Sequence, residues 1–175
     1  MSPTPSIDFT KLTLCDALDL ATIIEEEAKE RYEEFAHQME LHHNPDAAAF
    51  FLFMLKIEAL HEGRIAGRRR ELFGDAPRNV RRELIFDVEA PEYHEVRSTM
   101  THREALETAL RAEKKAYAFF DAAMKHVADA EVRSLFSELR EDEIEHAGLV
   151  EKELAKLTPD SKIKAEDVED EPIAH

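Results

Sequence analysis

The chain has 175 residues, 35% of them charged, with only 4 Gly and 7 Pro and a formal net charge of −16. That length suits one domain around one buried core, and the abundance of Ala, Glu, Leu and Arg describes a mostly helical soluble protein. An acidic surface repels nucleic acid and anionic membranes, so neither is expected as a partner, whereas metal cations are attracted.

Residues 1–12 read as a flexible lead-in. A first helix starts at Thr13, whose hydroxyl can cap it with Asp16 answering three residues later, and its inward stripe is Leu14, Leu18, Ala21, Glu25, Ala28, Tyr32, Phe35 and Met39. Asn44-Pro45 ends that helix and opens a second, since Asn caps well and Pro suits the first helical position. The second stripe is Phe51, Met54, Glu58, His61, Ile65 and Leu72, with Gly74 as C-cap. From Gly74 to Met100 the periodicity weakens. A segment of that length suits a crossover running back along a bundle, with a short helix around Arg81 to Asp87. A third helix begins at Thr101, boxed by Glu104, with the stripe Leu106, Ala109, Glu113, Ala116, Phe120, Ala123 and Val127. A fourth follows Asp129 with Val132, Phe136, Leu139, Glu143, His146, Val150, Leu154 and Leu157 inward, and Pro159 stops it. This gives an all-α antiparallel four-helix bundle over residues 13–158 with one long crossover, followed by an acidic tail over 159–175.

The two halves repeat one another. An offset of 88 maps Thr13 onto Thr101, Leu18 onto Leu106, Glu25 onto Glu113 and Ala28 onto Ala116. An offset of 85 maps Asn44 onto Asp129, Met54 onto Leu139, Glu58 onto Glu143 and His61 onto His146. Glu113 precedes Val127 by 14 residues and Glu143 follows Asp129 by 14, so antiparallel neighbours bring them level. In the first hairpin the register is off by three residues, about 4.5 Å at roughly 1.5 Å per residue. Glu25, Glu58, His61, Glu113, Glu143 and His146 therefore converge at mid-bundle.

Four carboxylates in a core are strongly unfavourable unless they protonate or bind cations, and two divalent metals neutralise four negative charges. A buried ion-pair network needs cations on the same stripes, and only Arg68 is near, about two turns from His61. Other Glu-x-x-His matches fail on geometry. Glu34 is nine residues past Glu25, hence on the opposite face of its helix, and Glu40 with His43 sits at a frayed end. His37, His42, His94, His102 and His126 are expected at the surface, and Arg68 to Arg70 are expected to answer the helix dipole. Tyr32 and Tyr117 lie one or two turns from a ligand Glu and are candidates for a hydrogen bond to a ligand or an electron path, with packing the plainer reading.

Glu25, Glu58-x-x-His61, Glu113 and Glu143-x-x-His146 resemble the di-iron carboxylate set of the ferritin-like superfamily, and the residues around Glu25 to Tyr32 and Glu113 to Phe120 are most similar to the rubrerythrin branch. The resemblance covers residues 13–157. It implies a ferritin-like bundle with two iron ions per chain, Glu25 and Glu113 as terminal ligands, Glu58 and Glu143 bridging, and one His on each iron. It implies reduction of peroxide or O2 with electrons from Fe(II) or an external donor protein, and a homo-oligomer, dimer or larger. With Cys15 as its one cysteine the chain has no rubredoxin-type site, and where rubrerythrins carry a further Glu one turn after the third-helix ligand it has Ala116. That substitution brings the ligand set closer to bacterioferritin, though the haem-binding Met of bacterioferritin would fall at Ala59, so no haem is expected. Manganese catalases use a related set, which makes manganese the alternative metal. Competing readings are a ferroxidase, store or iron-delivery protein, and a metal-free structural helical module. Met1 to Asp8 has no basic segment followed by an apolar one, and Ala47 to Leu55, the longest apolar run, is too short for a bilayer; with a single cysteine, a reducing cytoplasm is the expected location.

Overall fold

The structure is a computed structural model and describes residues 7–85 and 87–157. Four helices carry it: α1 (Leu14–Leu41), α2 (Pro45–Phe73), α3 (His102–Met124) and α4 (Ala130–Lys156). Each begins where its cap residue dictates. Thr13 accepts the Asp16 N–H at 3.2 Å, Asn44 accepts the Ala47 N–H at 3.4 Å, and Asp129 accepts from Glu131 and Val132. Thr101 and Glu104 form the full reciprocal capping box, at 3.1 and 2.7 Å. Gly74 ends α2 at φ 57°, a left-handed conformation that costs glycine little.

α1 packs along α2 and α3 along α4, as the two repeated hairpins require. The predicted stripes are the buried faces: Leu18, Ala21, Ala28, Tyr32, Phe35 and Met39 on α1, Phe51, Met54 and Ile65 on α2, Leu106, Ala109 and Phe120 on α3, and Phe136, Leu139 and Val150 on α4. Leu72 departs from its stripe and is 54% exposed. Counted from the hairpin turn it lies level with the first residue of α1, so it has outrun its partners. Residues 7–12, expected as part of a flexible lead-in, pack instead: Phe9 meets Phe119 and Phe136 edge-on, at 6.1 and 6.3 Å between ring centroids. Residues 1–6 and the whole of the expected acidic tail, 159–175, lie outside the described residues. No helix is long and apolar enough to cross a membrane among the described residues.

The crossover from Gly74 to Met100 runs beside α1. Arg78 pairs with Glu26 at 3.0 Å, Arg82 with Glu30 at 2.6 Å, and the Tyr93 hydroxyl donates to Glu34 at 2.8 Å, so successive acidic turns of α1 hold successive parts of it. Its expected short helix is reduced to one 3-10 turn at Arg82–Leu84, with another at Tyr93–Glu95. The far end is tied by the Asn44 amide, which donates to the Met100 carbonyl at 2.7 Å.

The helix stripes give no sign of a buried ion pair between Arg69 and Asp19. Arg69 donates to Asp19 at 2.8 Å, and also to the carbonyls of Gly74 (2.8 Å) and Ala76 (2.5 Å), stitching α1, the end of α2 and the start of the crossover. Of the Arg68 to Arg70 run, Arg69 thus serves a specific carboxylate, and Arg68 reaches Glu138 on α4. Replacing Arg69 by Met leaves Asp19 buried, with only Arg78 nearby at 3.9 Å, and strands two carbonyls. The expected loss is about 3 kcal/mol in a denaturant melt, with metal uptake unchanged.

Candidate metal centre

The six residues singled out by the repeat come together. Glu25, Glu58, Glu113 and Glu143 are at most 3% exposed, and His146 is 4% exposed. The His pair predicted by the offset of 85 is in contact, with its two Nε2 atoms 3.1 Å apart. In both halves Nδ1 is the nitrogen facing a glutamate: His146 Nδ1 lies 3.2 Å from Glu113 and His61 Nδ1 lies 3.8 Å from Glu25. The halves differ in exposure. The His61 side chain is 18% exposed and lies 3.9 Å from Asp142, which is itself paired with Arg64, so the α2/α4 side is where the centre approaches solvent.

A fifth carboxylate, absent from the sequence-based set, belongs to the same cluster. Glu89 of the crossover is 1% exposed, and single ligand atoms of Glu58, Glu89, Glu113 and His146 all lie within 4.8 Å of one another. No helical periodicity marks it. Its one trace in the sequence is a lone acid between Val88 and Ala90-Pro91 in an otherwise charged segment. Ala116, on the α3 face one turn past Glu113, is fully buried, so the additional carboxylate comes from the crossover and not from α3.

The electrostatics follow from crowding like charges out of water. Burial first, then the charge of Glu89, pushes the carboxyls of Glu25, Glu58 and Glu143 well above the ordinary range. Burial and the charge of Glu113 push Glu89 up to about 7. Burial and the neighbouring His146 hold His61 down to about 4. For His146 burial acts downward, but its hydrogen bond to Glu113 and that carboxylate's charge prevail and raise it. Among these carboxylates a hydrogen bond needs a shared proton. Ionised, they have no donor: both oxygens of Glu58 and of Glu89, one each of Glu25, Glu113 and Glu143, and Nδ1 of His61 are buried without a partner. Cations supply what such atoms lack, and oxygen-rich sites with imidazole suit iron and manganese, so the donor set fits a metal pair.

The remaining candidates separate. Tyr32 is fully buried beside Phe51, its hydroxyl is unpartnered, and burial together with the charge of Glu113 raises its pKa well above the ordinary phenol value. Tyr117 stands on the outer surface, 36% exposed, with Arg140 5.9 Å from its ring centroid, and takes no part in the cluster. Glu34, His37, His42, His94 and His126 are exposed as expected, His43 just past the end of α1 is exposed too, and His102 is half-buried against Phe50.

A family model described as rubrerythrin matches residues 16–154, and again 104–171. The crystal structure of an uncharacterized conserved protein from Magnetospirillum magnetotacticum MS-1 is similar at 30% identity and a TM-score of 0.63, covering 84% of this chain and 97% of that one. No curated protein matches the chain.

The perturbed groups set the pH dependence of the metal-free protein. Raised carboxyls contribute stability that is fully present below about 4.5 and lost as pH climbs through their folded values, Glu89's near 7. His61 opposes this only while its unfolded form titrates, up to about 6.5, and above that His146 acts with the carboxyls. The metal-free chain should therefore lose several degrees of Tm between pH 6.5 and 8.5, a loss that saturating Fe(II) or Mn(II) under anaerobic conditions abolishes in a thermal melt.

Proposed function

Because the chain belongs to the rubrerythrin family, within the ferritin-like di-iron carboxylate superfamily, we propose that it is a non-haem di-iron oxidoreductase reducing peroxide or O2. The observation that carries this reading is the set of buried carboxylate oxygens without donors, facing one another across mid-bundle beside two imidazoles. Glu25, Glu58, His61, Glu113, Glu143 and His146 would hold two iron ions. Bound there, iron would supply the electrons and the Lewis acidity for O2 or peroxide reduction.

The chain's own residues do the rest. The carboxylates would offset the metal charge and favour the ferric state, and the imidazoles turn Nδ1 toward the same carboxylates. Tyr32 stays protonated in its buried place, a hydrogen-bond donor for a ligand oxygen or a stop on an electron path. His61, partly exposed between α2 and α4, gives small ions and oxidants a way in. Cys15 alone cannot build a four-cysteine iron centre, which favours Fe(II) or a separate donor protein as the electron source. Leu52, Phe53 and Leu60 stand exposed on α2 and support a homo-oligomer.

Elemental analysis of protein purified without added metal, followed by anaerobic Fe(II) titration and challenge with peroxide and with O2, tests this. Two irons per chain and rapid peroxide or O2 consumption are expected, and a protein that takes up no iron would end the proposal. The exposure of His61 beside Asp142 also suits an iron-handling role, ferroxidase or store. Light scattering separates the two, because a store needs a large hollow shell whereas the oxidoreductase site is complete within one chain. A double substitution, Glu58→Leu with His61→Leu, should abolish metal uptake and turnover. In a denaturant melt without metal it should raise stability by about 1–4 kcal/mol, since it removes part of an uncompensated charge cluster.

A further inference from the structure

The sequence repeat makes two equal half-sites, but the chain has one crossover, and the carboxylate it brings in groups with Glu58, Glu113 and His146. Its segment from Asp87 to Pro91 is clamped from both sides. On α1, Arg31, itself paired with Glu27 at 3.1 Å, donates to Asp87 at 2.9 Å and to the Pro91 carbonyl at 2.7 Å. On α3, Lys115 donates to the Ala90 carbonyl at 3.0 Å. Asp87 takes the left-handed conformation, φ 49°, uncommon for a residue with a side chain, and its N–H donates to Glu27 at 3.3 Å. Val88 and Ala90 are buried on either side of Glu89. The clamp thus spends a strained residue and a buried arginine on delivering one carboxylate to the core, and both oxygens of that carboxylate are left without a partner.

We propose that Glu89 is a metal ligand supplied by the crossover to the Glu113/His146 half alone, so that the two metal positions are unequal and the Glu113/His146 position fills first. The proposal rests on the metal-pair reading above. Its geometry is the group of Glu58, Glu89, Glu113 and His146, which includes neither Glu25 nor His61. Beside His61 the additional carboxylate is Asp142, 3.9 Å from Nδ1. It is part-exposed and already paired with Arg64, so it adds little charge to that position. An extra anionic oxygen on one position raises its affinity for a cation. A more exposed imidazole on the other leaves that position open to exchange with solvent. Metal bound by Glu89 also ties the Asp87–Pro91 segment to the bundle core, so loading and the order of this segment are coupled.

The full-length metal-free protein is titrated with Co(II), followed by its visible absorption, and the same is done for Glu89→Gln, which keeps the side-chain volume. Wild type should bind two ions in two resolved steps, and the variant should lose at least about tenfold in affinity at the first step, bringing the two together. An isotherm for Glu89→Gln that superimposes on wild type overturns the proposal and leaves Glu89 a buried acid of the core, with the metal pair intact. A wild-type chain that takes up no Co(II) removes the metal pair and Glu89's role together. Amide hydrogen exchange of the wild type gives a measure that needs no variant. Exchange at Val88 to Ala90 should slow by tenfold or more on loading, and exchange that is the same with and without Co(II) also overturns the proposal.

Discussion

A layer of carboxylates at mid-height divides this bundle's core, and the rest of the architecture can be understood from that division. Below it, Leu18, Leu20, Ile24, Ile65, Phe120, Phe136 and Leu139 pack as one apolar cluster, and above it Tyr32, Phe35, Met39, Phe51, Met54, Leu106 and Val150 pack as another. Five buried acids lie in the gap between them. Removing even one ionised carboxylate from water costs several kcal/mol, far beyond what a single hydrogen bond returns, so the layer is stable only if protons or cations enter it. The two apolar clusters fix the helices firmly enough to hold the acids together regardless, which is the condition for a preformed metal site.

The surrounding cations are disposed so as not to fill that gap. Arg69 is tied to Asp19 at the bundle's end, Arg31 to Glu27 and the crossover, and Arg64 to Asp142 at the rim. Each answers a carboxylate outside the layer. An arginine inside it would have satisfied the charges permanently and closed the space to metal. The cluster's two faces differ as a result. The α1/α3 side is covered by the crossover with Arg31 and Lys115 holding it, while the α2/α4 side ends at His61, Asp142 and Arg64, partly open to water.

The crossover does more than connect the hairpins. Its charges are matched turn by turn to Glu26, Glu30 and Glu34 on α1, which fixes its path, and that path places Glu89 at the level of the carboxylate layer. A connection between two repeated hairpins occurs once, and whatever it contributes breaks their two-fold relation. The family to which the chain belongs is thus represented here by a variant in which Ala116 sits on α3 and the additional buried acid comes from a loop.

Four helices, their caps and their inward faces were determined by the sequence alone, because a period of 3.6 residues and a capping side chain are local properties that leave direct marks in the order of residues. The same is true of Glu25, Glu58, His61, Glu113, Glu143 and His146, since a repeat read at two offsets carries each of them to its counterpart. Glu89, the Arg69–Asp19 pair and the packing of Phe9 left no such mark. Each depends on where a non-helical segment or a helix end comes to rest in three dimensions, and extended backbone has no period to betray which of its side chains is buried. Tyr117 shows the converse. It lies within helical reach of Glu113, yet only the packing of α3 against its neighbours decided that its ring faces solvent and Arg140.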